Sequence, residues 1–89
     1  MASETLNPAE VRDAVRGFVA KITERKPSEI SDTAHFRDDL EIDSLMAMEM
    51  MVAVNRKYRI EILDEEFRNI SNVREAADAV LRHLATDAR

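Results

Sequence analysis

The chain reads as all-α. Three observations point there: one glycine, Gly17, and two prolines, Pro8 and Pro27, in 89 residues; apolar residues at helical spacing in separate stretches; and capping signals ahead of those stretches. Too few turn residues remain for a β-sandwich or barrel. At this length a single domain over residues 1–89 is expected, burying about 60–65% of its unfolded surface, with residues 1–6 and 85–89 frayed. There is no cysteine, which excludes a disulfide framework, a thiol nucleophile and thiolate metal ligation together. No metal site is expected, since the two histidines, His35 and His83, lie far apart. No apolar run approaches a membrane span, and Met-Ala-Ser-Glu-Thr lacks the features of a signal peptide, so a cytoplasmic location away from membranes is expected. The net charge of −5 disfavours a nucleic-acid partner and favours basic partner surfaces.

The first helix opens at Asn7 as N-cap, with Pro8 at its first position, Glu10 in its first turn, and Leu6 and Val11 placed as a hydrophobic staple. Val11, Val15, Phe18, Val19 and Ile22 follow helical spacing, and the helix must end before Pro27, with Lys21, Arg25 and Lys26 suiting its C-terminal dipole. Gly17 inside it costs about 1 kcal/mol; it either permits close packing or is simply tolerated. From Pro27 to Asp43 the period is lost, which predicts a long loop pinned by Ile30, Phe36, Leu40 and Ile42. His35 in this loop reads as solvent-facing or locally hydrogen-bonded rather than catalytic.

That loop ends in Asp38-Asp39-Leu40-Glu41-Ile42-Asp43-Ser44-Leu45, an acidic stretch opening directly into a helix. A serine at a helix start sits beside free backbone N–H groups and a partial positive charge, which suits a phosphate ester and hence covalent attachment of a phosphorylated group. The simpler alternative is that Asp43 or Ser44 serves only as an N-cap. Projected at about 100° per residue, the helix from Ser44 to Tyr58 carries two apolar stripes. Ala47, Met50, Met51, Val54 and Tyr58 form one, suited to the core. Leu45, Met48 and Val52 form the other, among Glu49, Arg56 and Arg59, and an apolar patch rimmed by charge has the make-up of a partner-docking face. The alternatives are burial of both stripes or scattered surface apolar residues.

Tyr58, Ile60 and Ile62 alternate with Arg59 and Glu61 like a strand, yet no other segment offers a pairing edge, so an extended connector is expected. Asp64 is expected to cap a short helical turn through Arg68, with Phe67 and Ile70 facing inward. A last helix begins at Ser71 or Asn72, where Asn72 and Glu75 make a capping pair, and buries Val73, Ala76, Ala77, Val80, Leu81 and Leu84. His83, beside that stripe, reads as a surface side chain favouring the helix dipole.

This order of elements, with Phe36 and Asp39-Leu40 before Asp43-Ser44-Leu45, Glu49 after it, then Tyr58-Arg59-Ile60-Glu61-Ile62, Phe67, Ile70-Ser71 and Val73, resembles an acyl carrier protein over nearly the whole chain. A bare Asp-Ser-Leu is weak evidence; the flanks at the right distances make the match specific. The resemblance implies a small four-helix bundle with a long loop between helices 1 and 2 and a short third helix. It implies that Ser44 receives 4'-phosphopantetheine from coenzyme A through a phosphopantetheinyl transferase, and that the arm's thiol carries acyl groups as thioesters. Asp43 and Leu45 would flank the arm, with Asp43 orienting the serine and engaging the transferase. Leu45, Met48, Glu49, Val52 and Arg56 would meet acyl-transferring and condensing enzymes through basic patches on those partners. The chain itself would be a monomer and catalyse nothing. A chain without a thiol needs a borrowed one for thioester chemistry, and a tether raises effective concentration at each partner.

Two residues depart from the family pattern. Glu41 stands where the family usually has glycine, and Glu resists dihedrals that glycine tolerates, so the loop geometry before Ser44 is expected to differ. Met46 stands where carriers of primary fatty acid synthesis often have an acid, and Asn55-Arg56-Lys57 closes the helix, leaving a less acidic face. A discrete carrier of polyketide or related specialised biosynthesis is therefore expected, with a fatty acid carrier or an unmodified helical adaptor as alternatives. The Gly-Gly pair usual in peptidyl carriers is absent. A calcium loop over Asp39, Glu41 and Asp43 fails because Ser44 and Met50 occupy its glycine and glutamate positions. A serine hydrolase fails for want of a base in a recognisable motif near Ser44 and of Gly-x-Ser-x-Gly.

Overall fold

Asn7 starts the first helix as its residue type and the following proline dictate: its Oδ1 accepts the Ala9 N–H at 2.8 Å, and Pro8 needs no N–H partner. The computed structural model describes residues 7–87, so the Leu6–Val11 staple and the fraying expected at 1–6 and at the last two residues lie outside the described residues. Four α-helices follow in order, α1 (Pro8–Thr23), α2 (Ser44–Tyr58), α3 (Asp64–Phe67) and α4 (Val73–Asp87), with a 3-10 turn at Pro27–Glu29 that the sequence did not announce. The described residues contain no strand, as the all-α reading requires.

α1 packs mainly on α4 and also on α2, and α3 lies against α2. Their common core holds Val11, Val15 and Val19 of α1, Met50 and Val54 of α2, and Val73, Ala76, Ala77 and Val80 of α4, all buried. Phe18, Ile22, Leu81 and Leu84 are only partly covered, while Ala79, outside the expected stripe, is fully buried because α4 sinks more than one narrow face into the bundle. Nothing lies within 4 Å of a Cβ built on Gly17, so that glycine is tolerated, with no close approach that requires it. α1 closes at Glu24, a non-glycine residue in the left-handed region (φ 58°), whose N–H reaches the Ala20 and Lys21 carbonyls.

The long loop is anchored on both sides. Its apolar residues Ile30, Phe36, Leu40 and Ile42 are all buried, as their pattern predicts. Asp32 receives the guanidinium groups of Arg12 (3.2 Å) and Arg16 from α1, and Arg16 Nε also donates to the Ile30 carbonyl at 3.1 Å. On the other side the Asp32 carbonyl accepts the Arg74 N–H at 3.0 Å, and Phe36 N–H donates to the Ser71 carbonyl at 2.7 Å. His35 is locally hydrogen-bonded, its Nδ1 accepting the N–H groups of Arg37 and Asp38 at 3.2 and 3.1 Å.

The connector after α2 is extended, and its missing partner strand is replaced by a side chain. The Asn55 amide accepts the Ile62 N–H at 2.9 Å and donates to the Ile62 carbonyl at 3.1 Å, while Ile60 and Ile62 are buried. Asp64 does not cap α3. Leu63, extended at φ −79° and ψ 159°, holds the N-cap position without a side-chain bond, and Asp64, one residue inside, pairs with Arg68 at 2.9 Å. Before α4, Asn72 accepts the Glu75 N–H at 2.8 Å and Glu75 accepts the Ser71 N–H at 2.7 Å. α4 continues through Ala85 and Thr86, beyond the expected onset of fraying.

His83 departs from its expected role. It is half-buried, with Nε2 2.8 Å from Glu66 Oε1, and Arg82 reaches the other oxygen at 3.3 Å, so the pair joins α4 to α3 instead of facing the helix dipole. The Glu66 carboxyl is held below the ordinary glutamate range, first by the His83 hydrogen bond and further by Arg82, with partial burial opposing. A folded-state pKa below the unfolded one means that the unfolded chain binds more protons in that interval. The stabilisation is therefore complete above the unfolded glutamate pKa and lost as pH falls through the depressed value. Urea titrations of the wild type and Glu66→Gln should differ most near neutrality and converge in acid.

Candidate functional site

The loop delivers its acidic end to the start of α2. Asp43 is the N-cap: it is extended (φ −89°, ψ −178°), its carboxylate accepts the Met46 N–H at 2.9 Å and its carbonyl accepts the Ala47 N–H at 2.9 Å. This decides which of the two adjacent residues caps the helix. Ser44 is left as the first helical residue, exposed, with a hydroxyl that has no hydrogen-bond partner among the described residues. The N–H groups of Ser44 and Leu45, at the positive end of the helix dipole, are likewise without a carbonyl partner, as the first turn of a helix requires. A group esterified to this hydroxyl through a phosphate would meet those donors.

Beside Ser44 a cavity of about 470 Å³ opens between the loop, the first turn of α2 and α3. Phe36, Ile42, Ala47, Phe67 and Ile70 give it an apolar interior, with Ser44, Arg37 and Arg68 also lining it. A slender chain leaving the Ser44 oxygen has an open way to solvent and an apolar surface to lie along.

α2 turns its two stripes in opposite directions. Met50 and Val54 are buried, and Ala47, Met51 and Tyr58 pack partly against the core. Leu45, Met48 and Val52 are 65%, 52% and 45% exposed, with Glu49 and Arg56 exposed among them, so the structure brings these five residues together on one solvent face. Sequence reasoning missed Leu63, which is 58% exposed at the start of α3. Asn55 of α2 clamps Ile62, the residue before it, and an isolated leucine after a buried isoleucine carries no periodic signal that would have marked it.

Glu41 takes the left-handed conformation at φ 58°, one of three non-glycine residues to do so among the described residues, with Glu24 and Arg59. The loop thus adopts a glycine-type turn with a side chain present. Its N–H donates to the Arg37 carbonyl at 3.2 Å, and the Ile42 N–H that follows donates to the Phe36 carbonyl at 2.9 Å. Those bonds hold the turn against a steric cost of about 1–2 kcal/mol.

Residues 13–80 match the protein family described as phosphopantetheine attachment site. The chain belongs to the phosphopantetheine-binding acyl carrier family. Its cofactor is 4'-phosphopantetheine, and like other members it is a non-catalytic carrier that works with phosphopantetheinyl transferase and biosynthetic enzymes. It is 31% identical over 70 residues to polyketide-8 synthase acyl carrier protein 2 of Streptomyces avermitilis, covering 79% of this chain and 80% of that one. It is 43% identical over 56 residues to the acyl carrier protein of Rubrobacter xylanophilus, covering 63% and 69% respectively. Among solved structures, the acyl carrier protein from Enterococcus faecalis superposes with a TM-score of 0.74 at 24% identity, over 88% of this chain and 99% of that one, a likeness of fold. The apo doublet acyl carrier protein from prodigiosin biosynthesis gives 0.73 at 27% identity, over 92% of this chain and 40% of that one. No described helix is long and apolar enough to cross a membrane.

Replacing Glu41 by glycine relieves the left-handed turn without touching the core. Glu41→Gly should raise unfolding stability by about 1 kcal/mol in urea, the relief of strain being partly offset by the entropy of a freer unfolded chain. A loss of stability would show that the side chain itself holds the loop.

Proposed function

We propose that Ser44 is the attachment point of the phosphopantetheine arm and that the chain presents acyl thioesters to partner enzymes across the exposed face of α2. The exposed, unpartnered hydroxyl at the first position of α2, beside an open apolar cavity, carries this reading. Asp43 sets the helix start and so the direction in which the serine points, and Leu45 flanks the arm. Leu45, Met48, Glu49, Val52 and Arg56 meet the transferase and the acyl-transferring and condensing enzymes. The carrier works as a cytoplasmic monomer within a single domain.

The pathway we favour is polyketide or related specialised biosynthesis. Met46 and the basic end of α2 support it, as does the likeness to a polyketide synthase carrier over four-fifths of that protein's length. The likeness to a general acyl carrier protein is higher in identity over a shorter stretch, so fatty acid synthesis is the second reading. Loading by the two kinds of condensing enzyme separates them.

Incubation with coenzyme A and a broad-specificity transferase should add one phosphopantetheinyl group by intact mass, and Ser44→Ala should abolish it. Unchanged mass with several transferases would overturn the assignment. Val52→Glu should lower acyl transfer to condensing enzymes about tenfold while leaving helicity by circular dichroism unaltered, because the side chain is exposed and its loss removes only docking contact. Loss of helicity would place Val52 in the core.

A further inference from the structure

The docking face of α2 is electrically divided. At its start stand four exposed carboxylates, Asp38, Asp39, Glu41 and Asp43, which outnumber the one exposed cation among them, Arg37, and leave that end net acidic. At its end stand Arg56, Lys57 and Arg59, also exposed, and none of the three forms an ion pair among the described residues, Lys57 lying instead over the Tyr58 ring at 5.6 Å. Arg56 falls on the same helical line as Leu45, Glu49 and Val52, so the stripe itself ends in a free guanidinium. About 16 Å of helix separates Leu45 from Arg56. That is about twice the Debye length at physiological salt, so the two ends act as separate patches and do not cancel.

Resting on the carrier reading above, we infer that the partner enzyme of this chain bears a two-signed footprint. It carries basic side chains around the mouth that receives the arm from Ser44, an apolar seat for Leu45, Met48 and Val52, and carboxylates facing Arg56. A footprint basic along its whole length would place cation against cation at Arg56. Like charges brought together at a docking surface cost specificity and association rate. Arg56 is then the residue by which the chain selects a partner, while the acidic end serves those that need only reach the serine. A second copy of this chain could match the same pattern head to tail, yet that pairing would cover the Ser44 end, and the exposed apolar residues are too few for the area a stable dimer needs.

The test uses the phosphopantetheine-loaded, acylated protein and, as probe, a condensing enzyme whose carrier-docking surface is basic throughout. Arg56→Glu should raise kcat/KM with that enzyme by about fivefold or more at low ionic strength, through KM, and the gain should largely vanish at about 0.5 M salt. Arg56→Gln should give an intermediate gain, and it keeps the test valid should the glutamate weaken the helix C-terminus. Unchanged or lowered kcat/KM in both variants overturns the inference. A wild-type dimer in sedimentation that Arg56→Glu disperses would overturn it too, by assigning the face to a second copy. Failure of Ser44 to load condemns the carrier reading itself; a loaded chain indifferent to charge at Arg56 condemns only the divided footprint.

Discussion

Asp32 ties the long loop to the rest of the bundle, and the position of the candidate site follows from that tie. Its carboxylate is shared by Arg12 and Arg16 of α1, and its carbonyl accepts a backbone N–H in the first turn of α4. One residue therefore fixes the loop to two helices that already pack on one another. Ion pairs at the surface contribute little when alone, but this carboxylate is only part-exposed and holds two guanidinium groups, so it acts as a joint. Phe36, Leu40 and Ile42 then sink into the core and carry the chain on to Asp43.

From there the helix start is set by competition for one cap. Asp43 takes it, and because a helix needs a single N-cap side chain, the neighbouring serine is released to solvent. The same helix must be wet on one side for the hydroxyl to be useful and dry on the other for the bundle to hold. Met50 and Val54 supply the dry side, while Leu45, Met48 and Val52 remain exposed on the other.

The chain also distributes its backbone strain unusually. Its single glycine lies in the middle of α1, where it has no conformational use, while Glu24, Glu41 and Arg59 occupy left-handed positions that glycine would fill more cheaply. Two of these close helices, where hydrogen bonds to the last carbonyls offset the cost; the third shapes the approach to Ser44. A carboxylate at that third site adds to the negative end of the docking face, which a glycine would not.

Residue identities alone determined the three long helices, because apolar spacing and capping chemistry act within a few residues: Asn7-Pro8, Asn72-Glu75 and the split stripes of α2 all lie where local rules place them. The same rules singled out Ser44. Tertiary structure decided what depends on distant partners. His83 left the solvent for Glu66 because folding brings α3 beside α4, and Asn55 stood in for a strand because the connector returns along α2. Leu63, Asp64 and Glu41 took roles set by the turn into which the surrounding chain forces them, since packing and loop closure outweigh the preference of any one residue for a cap or a dihedral.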